Sequence, residues 1–164
     1  MHGGMKVYRG AAAAARHYVE ADRSRADDYY LAEGSGVAMW IVAGFDKLNQ
    51  QVRVEHRADM DGETYEKWVG GFDVETDGAK GRLRTDDQAV RFVEVTVNGP
   101  KTWSLAAALH PEVAEAYDAA QMAAAEEIVG WLASHATTRV GPRGRQVQVT
   151  VEQIEAAVVR HFTS

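Results

Sequence analysis

Cysteine is absent from the chain, which removes disulfides, thiolate metal ligands and a cysteine nucleophile at once. The stretch from Met1 to Gly10 lacks the apolar core of a secretory signal, and no run approaches the length of a membrane span. The expected compartment is therefore the cytoplasm. Positive charge is also short, with 18 basic against 24 acidic residues and a net charge of −6. That balance excludes a protein whose whole surface clings to nucleic acid, but it leaves room for a local basic groove. Arg16, Arg23 and Arg25 fall close together, as do Arg139, Arg143 and Arg145, with Arg160 further on. Each is either part of such a groove or ordinary solvated surface.

What is present is ordinary for a globular protein. The 164 residues are 46% hydrophobic and 26% charged, enough for one domain that buries most of its unfolded surface. Met5 to Tyr8 alternates as a first strand, and the alanine run from 11 to 15 opens a helix reaching about Ala21. Val37 to Val42 is a second apolar run, while residues 44 to 60 are polar, with scattered Val52 and Val54, and carry no clear element signal. A short helix is expected over 63 to 70, ended by Gly70-Gly71, followed by an Asp-, Gly- and Thr-rich surface excursion from Phe72 to Gln88.

Val90 to Val97 reads as a strand, Lys101 to Leu109 as a short helix, and 112 to 134 as one long helix. In the long helix Val113, Tyr117, Ala120, Ala124, Ile128 and Trp131 follow 3/4 spacing and predict a buried stripe. Thr137 to Val140, Val147 to Val151 and Glu155 to Phe162 complete the chain as strands. The fold class is α+β, with a mainly antiparallel sheet packed against helices.

Strand alternation concentrates the chemistry in RFVEVTVNGPKTWSL, residues 91 to 105. Val93, Val95 and Val97 share one face, expected to pack on the long helix; Phe92, Glu94, Thr96 and Asn98 share the other. In the last strand His161 shares a face with Ala157 and Val159, where a neutral imidazole can serve as a metal ligand or as a hydrogen-bonded structural group.

RFVEVTVNGPKTWSLAAAL, followed by a helix beginning HPEVAEAYDAA, resembles the TrwC/TraI-type conjugative relaxase domain, whose D-L-T-F-S-A-P-K-S strand precedes the same kind of helix pair. ADDYYLAEG at 26 to 34 is similar to the start of that family, and the closing VVRHFTS is similar to its F-R-H-E-T-S. The resemblance implies a relaxase-like fold and an HUH-type endonuclease, which cuts one strand of transfer-origin DNA through a tyrosine that becomes joined to the 5′ phosphate. An ordinary phenol titrates near pH 10 and needs a base or stabilised charge to act as a nucleophile. A divalent cation, Mg²⁺ or Mn²⁺, held by three histidines would polarise the phosphate in the complete domain.

Carried over by position, the resemblance makes Tyr18 the nucleophile, although His17-Tyr18 stands where the family often has a tyrosine pair. Tyr29 becomes a second tyrosine and Tyr30 a DNA contact, with aromatic packing as the alternative for both. Glu94 falls where the family has an aspartate and would orient a histidine or help deprotonate the tyrosine. His161 falls on the first metal histidine, on a strand expected to neighbour that of Glu94. Lys101 would contact phosphate or pack at a helix start, Arg160 would contact DNA or form a surface ion pair, and Arg16 would contact DNA.

No His-x-His follows His161 before Ser164. The expectation is therefore a single relaxase-like domain over 1–164 lacking its C-terminal part, inactive or weakly active alone and not firmly binding metal. The expected partners are single-stranded DNA, the absent C-terminal segment or other relaxosome proteins, and no membrane. The alternative is a non-catalytic module that binds single-stranded DNA or a protein.

Overall fold

A computed structural model describes residues 2–25, 36–86 and 88–160. In chain order it contains β1 (His2–Tyr8), α1 (Ala12–Arg25), β2 (Ala38–Asp46), β3 (Gln51–Met60), α2 (Gly62–Gly70) and β4 (Phe92–Asn98). These are followed by α3 (Lys101–Leu109), α4 (Pro111–His135), β5 (Thr137–Val140), β6 (Val147–Thr150) and β7 (Gln153–Val158). The strands pair as β1-β4, β3-β2-β7 and β5-β6, and the α+β class with antiparallel sheets is as expected. The chain divides into two compact units: residues 1–38, 59–105 and 159–164 form the first, and residues 39–58 and 106–158 the second.

In the first unit β1 and β4 make a two-stranded antiparallel ribbon running from His2↔Asn98 to Tyr8↔Phe92. Helix α1 packs on α2, burying Ala15 and Val19 of the former and Tyr65 and Val69 of the latter. The seam is fixed by Arg16, whose guanidinium reaches Glu20 Oε1 at 2.8 Å and Glu66 Oε2 at 3.2 Å.

Both ends of α2 are closed by local chemistry. The Asp61 carboxylate accepts from Thr64 N at 2.8 Å, and Gly71, at φ +94°, donates to Trp68 O while Phe72 N donates to Lys67 O. That left-handed turn favours glycine. Asp61→Ala is expected to cost about 1 kcal/mol in a urea titration near neutral pH. The backbone N–H of Thr64, then its hydroxyl, holds the Asp61 carboxyl below its usual value. A lowered pKa gives stability that is complete above the unfolded value near 4 and is lost as pH falls through the folded value. The gap between parent and variant should therefore close below about pH 4.

In the second unit β2 is the central strand, paired with β7 from Met39↔Val158 to Gly44↔Gln153. Helix α4 covers this sheet through Val129 and Ala133, which meet Ile41 and Ala43, with Met39, Val54, Ile154, Ala156 and Val158 around them. A Cβ on Gly130 would lie 3.1 Å from methyls of both Val52 and Val54, closer than ordinary van der Waals contact, so the glycine eases the close approach of helix to strand.

Several expectations change. The unassigned stretch from 44 to 60 holds the end of β2, a turn in which Asp46 accepts from Leu48 N and Asn49 N, and β3. Along β3 alternate residues are charged, and Glu55 pairs with both Arg53 and Arg57, a composition suited to the edge of a sheet. The buried residues of α4 are Val129, Gly130 and Ala133, whereas Trp131, expected in the stripe, is 61% exposed and stacks on His135. Alanines on nearly every face of α4 blur the sequence stripe, and the sheet selects the small residues that let the helix come close. Val93, Val95 and Val97, expected to be covered, are 45 to 52% exposed. The face of β4 that is covered belongs to Phe92, Glu94 and Thr96.

Candidate active site and nucleic-acid interface

The half-buried face of β4 is built by aromatic rings. Tyr8 stacks on Phe92 with centroids 4.7 Å apart, and Trp68 of α2 lies 6.4 Å from Phe92. Tyr65, one turn earlier in α2, stacks on Trp68 at 6.2 Å. The Tyr8 hydroxyl donates to Ala11 O at 3.0 Å, which ties the end of β1 to the start of α1. Glu94 sits on this face, directly across the ribbon from Lys6, and opposite charges in that position attract. Tyr65 is 4% exposed, and its phenol is pushed up to about 12, first by burial and then by Tyr8 and Glu94. It therefore stays a neutral hydroxyl beside the carboxylate throughout the physiological range.

Helix α1 carries the phenol expected to be the nucleophile. Ala15 and Val19 point into the seam with α2, so Tyr18, about 100° around the helix from Val19, projects outward and is 61% exposed. Arg16 lies on the same helix, and its hydrogen bonds to Glu20 and then Glu66 raise its pKa. Lys101 opens α3 just after Pro100 and is exposed, as is Arg160, two residues beyond the end of β7. Tyr29, Tyr30 and His161 lie outside the described residues.

A model of the TrwC relaxase family matches residues 12–164, from the first residue of α1 to the end of the sequence. The chain belongs to the TrwC relaxase family. No curated protein and no solved structure matches it. Membership gives this TrwC-family chain a relaxase-type, DNA-nicking function at the level of the family, with conjugation as the setting and single-stranded DNA as the ligand.

Within this relaxase chain the described candidates Arg16, Tyr18, Glu94, Lys101 and Arg160 all belong to the first unit. Strand β4 pairs with β1, and β7 pairs with β2; His161, expected on a strand beside that of Glu94, lies outside the described residues. Strand β7 also ends at Val158, earlier than expected. Relaxases use a divalent metal in general, yet among the described residues no three histidine, aspartate or glutamate side chains gather as a metal site. The described residues alone do not fit a three-ligand ion.

Sequence reasoning missed Lys6, Tyr65 and Trp68. Alternation placed Lys6 on a strand but could not supply its partner, which only the β1-β4 register reveals. Tyr65 and Trp68 sat in a short helix with no motif to mark them. The basic run from Lys80 to Arg84 was passed over as surface.

Proposed function

We propose that this TrwC-family protein nicks single-stranded transfer-origin DNA by tyrosine transesterification, with Tyr18 as the nucleophile. The family match over 12–164 carries this reading. It spans both compact units, which supports treating residues 1–164 as one relaxase-like domain. The Tyr18 oxygen would form a bond to the scissile phosphorus as the bond from phosphorus to the 3′ oxygen breaks. The phenolic proton is given up, and the departing 3′ oxygen takes a proton to become a hydroxyl, so no cofactor or oxidant is consumed.

Glu94 would take up or orient the proton, and the neutral hydroxyl of Tyr65 beside it favours a carboxylate held in one position. Tyr29 would serve as a second nucleophile, and His161 as one metal ligand. Lys101, Arg160 and Tyr30 would contact the strand. Arg16, whose fork is bonded to Glu20 and Glu66, would reach DNA only from its remaining exposed edge. When bound, a divalent metal would polarise the phosphate.

The test is a covalent-adduct assay with labelled single-stranded transfer-origin DNA and Mg²⁺ or Mn²⁺, resolved under denaturing conditions. The expected product is a protein–DNA adduct with the single strand and none with the same sequence as a blunt duplex. Salt-dependent binding of the single strand with no adduct under any metal condition would instead establish a non-catalytic binding module.

A further inference from the structure

In a chain with six more acidic than basic residues, three cations fall within five positions: Lys80, Arg82 and Arg84. The fold gathers them with a fourth. A concavity of about 230 Å³ in the first unit is lined by Gly71, Lys80, Arg82, Leu83, Arg84 and Arg91, among others, and by no carboxylate. A second hollow of about 400 Å³ continues along Arg82 to Asp86 and shares Arg82, Leu83 and Arg84.

The walls are fixed by the backbone. Phe72 and Ala79 form a bridge that returns the chain to the end of α2, and Lys80 N donates to Gly71 O at 3.0 Å. At the far side Arg91 donates through one terminal nitrogen to Arg84 O at 2.8 Å. Its Nε is buried and has no hydrogen-bond partner, and such a donor is costly to leave unmet. Arg82 pairs with no acid among the described residues, while Arg84 is held by Asp86 at 3.1 Å. The Lys80 ammonium lies 5.4 Å from the Trp68 ring centre, and Trp68 packs on Phe92, two residues from Glu94. The basic concavity thus adjoins the aromatic wall of the candidate active site.

From this geometry we infer that the concavity bounded by Lys80, Arg82, Arg84 and Arg91 binds backbone phosphates of the single strand flanking the cleavage site. Guanidinium forks match phosphate oxygens in pairs, and Lys80, Arg82 and Arg84 are exposed along the rim of the cavity. The inference rests on the relaxase reading and adds to it where the strand runs.

The experiment compares the full chain with the variant carrying both Lys80→Gln and Arg82→Gln, two exposed positions. The control variant carries Arg53→Gln and Arg57→Gln, which removes equal charge from β3. Affinity for a fluorescent single-stranded oligonucleotide is measured from 50 to 300 mM KCl. Losing two phosphate contacts should lower the slope of log K against log salt by about 1.4 and the affinity at 0.1 M salt by roughly 25-fold. The control should change the affinity less than about threefold. Inorganic phosphate at constant ionic strength should compete more strongly against the parent than against the cavity variant.

If the parent binds and the cavity variant matches it in affinity and slope, this inference falls while the relaxase reading stands. Equal losses in the cavity and control variants would overturn it in favour of diffuse charge. A phosphate effect confined to the parent, with oligonucleotide affinity unmoved, would make the cavity a free-phosphate site and also overturn it. Failure of the parent to bind single-stranded DNA would bring down the relaxase reading, and this inference with it.

Discussion

Tyr18→Phe is expected to reduce covalent adduct with single-stranded DNA by at least about a thousandfold, because only the hydroxyl can form the bond to phosphorus. The ring is retained, so stacking and packing stay as they were. The side chain is 61% exposed on α1, and losing one oxygen there opens no cavity. DNA affinity should stay within about twofold of the parent, since the change removes neither a charge nor a stacking surface. Far-UV circular dichroism of the variant should overlay that of the parent. The matching Tyr29→Phe variant distinguishes the two tyrosines: adduct retained in Tyr18→Phe and lost in Tyr29→Phe would move the nucleophile to the ADDYY segment. A parallel drop in DNA affinity would show that Tyr18 binds the strand and would remove the ground for assigning it the chemistry.

The largest effect on stability is expected at Ile41. Its side chain has no exposed surface and is one of the two largest fully buried groups, with Met60. It sits on β2, the central strand of the three-stranded sheet, against Val129 and Ala133 of α4. Truncation to alanine removes three carbons from a packed interior that can only partly collapse, and it should cost about 3 to 4 kcal/mol. Leu48 supplies the contrast, being an equally apolar side chain that is 95% exposed in the turn before β3. Leu48→Ala should change stability by less than about 0.5 kcal/mol. Urea denaturation of the two variants gives both values. A cost at Ile41 below about 1 kcal/mol would mean that β2 and α4 do not meet as described.

The candidate site was legible in uneven measure. Glu94 was visible because a lone carboxylate among valines breaks a strand pattern, and the NGPK segment after it fixed its distance from α3. Tyr18 was visible through its family position on the alanine-rich helix. The surroundings of Glu94 were not visible. Lys6 lies 88 residues away in the chain and meets Glu94 only through the β1-β4 register, while the aromatic wall comes from α2. The basic concavity was hidden for the same reason: Arg91 joins Lys80, Arg82 and Arg84 only because the chain doubles back at Phe72 and Ala79.

Local chemistry in the sequence was enough to determine where several elements lie. Pro100 and His110-Pro111 bound a helix whose observed span, Lys101–Leu109, matches the expected one. Asp61 and Gly71 close α2 through hydrogen bonds within three or four residues. These signals act over one turn of chain, so no distant partner is needed to read them. Which face of each element would be buried was decided by tertiary structure alone. In β4 both faces carry apolar residues, and the rings of α2 settled on Phe92 rather than on the valines. In α4 the alanines offered several equivalent stripes, and the sheet took the one containing Gly130 and Ala133. Strand β3 carries charges at alternate positions and gains its hydrogen bonds only when β2 is beside it. Burial and pairing are properties of two surfaces together, and one stretch of sequence holds only one of them.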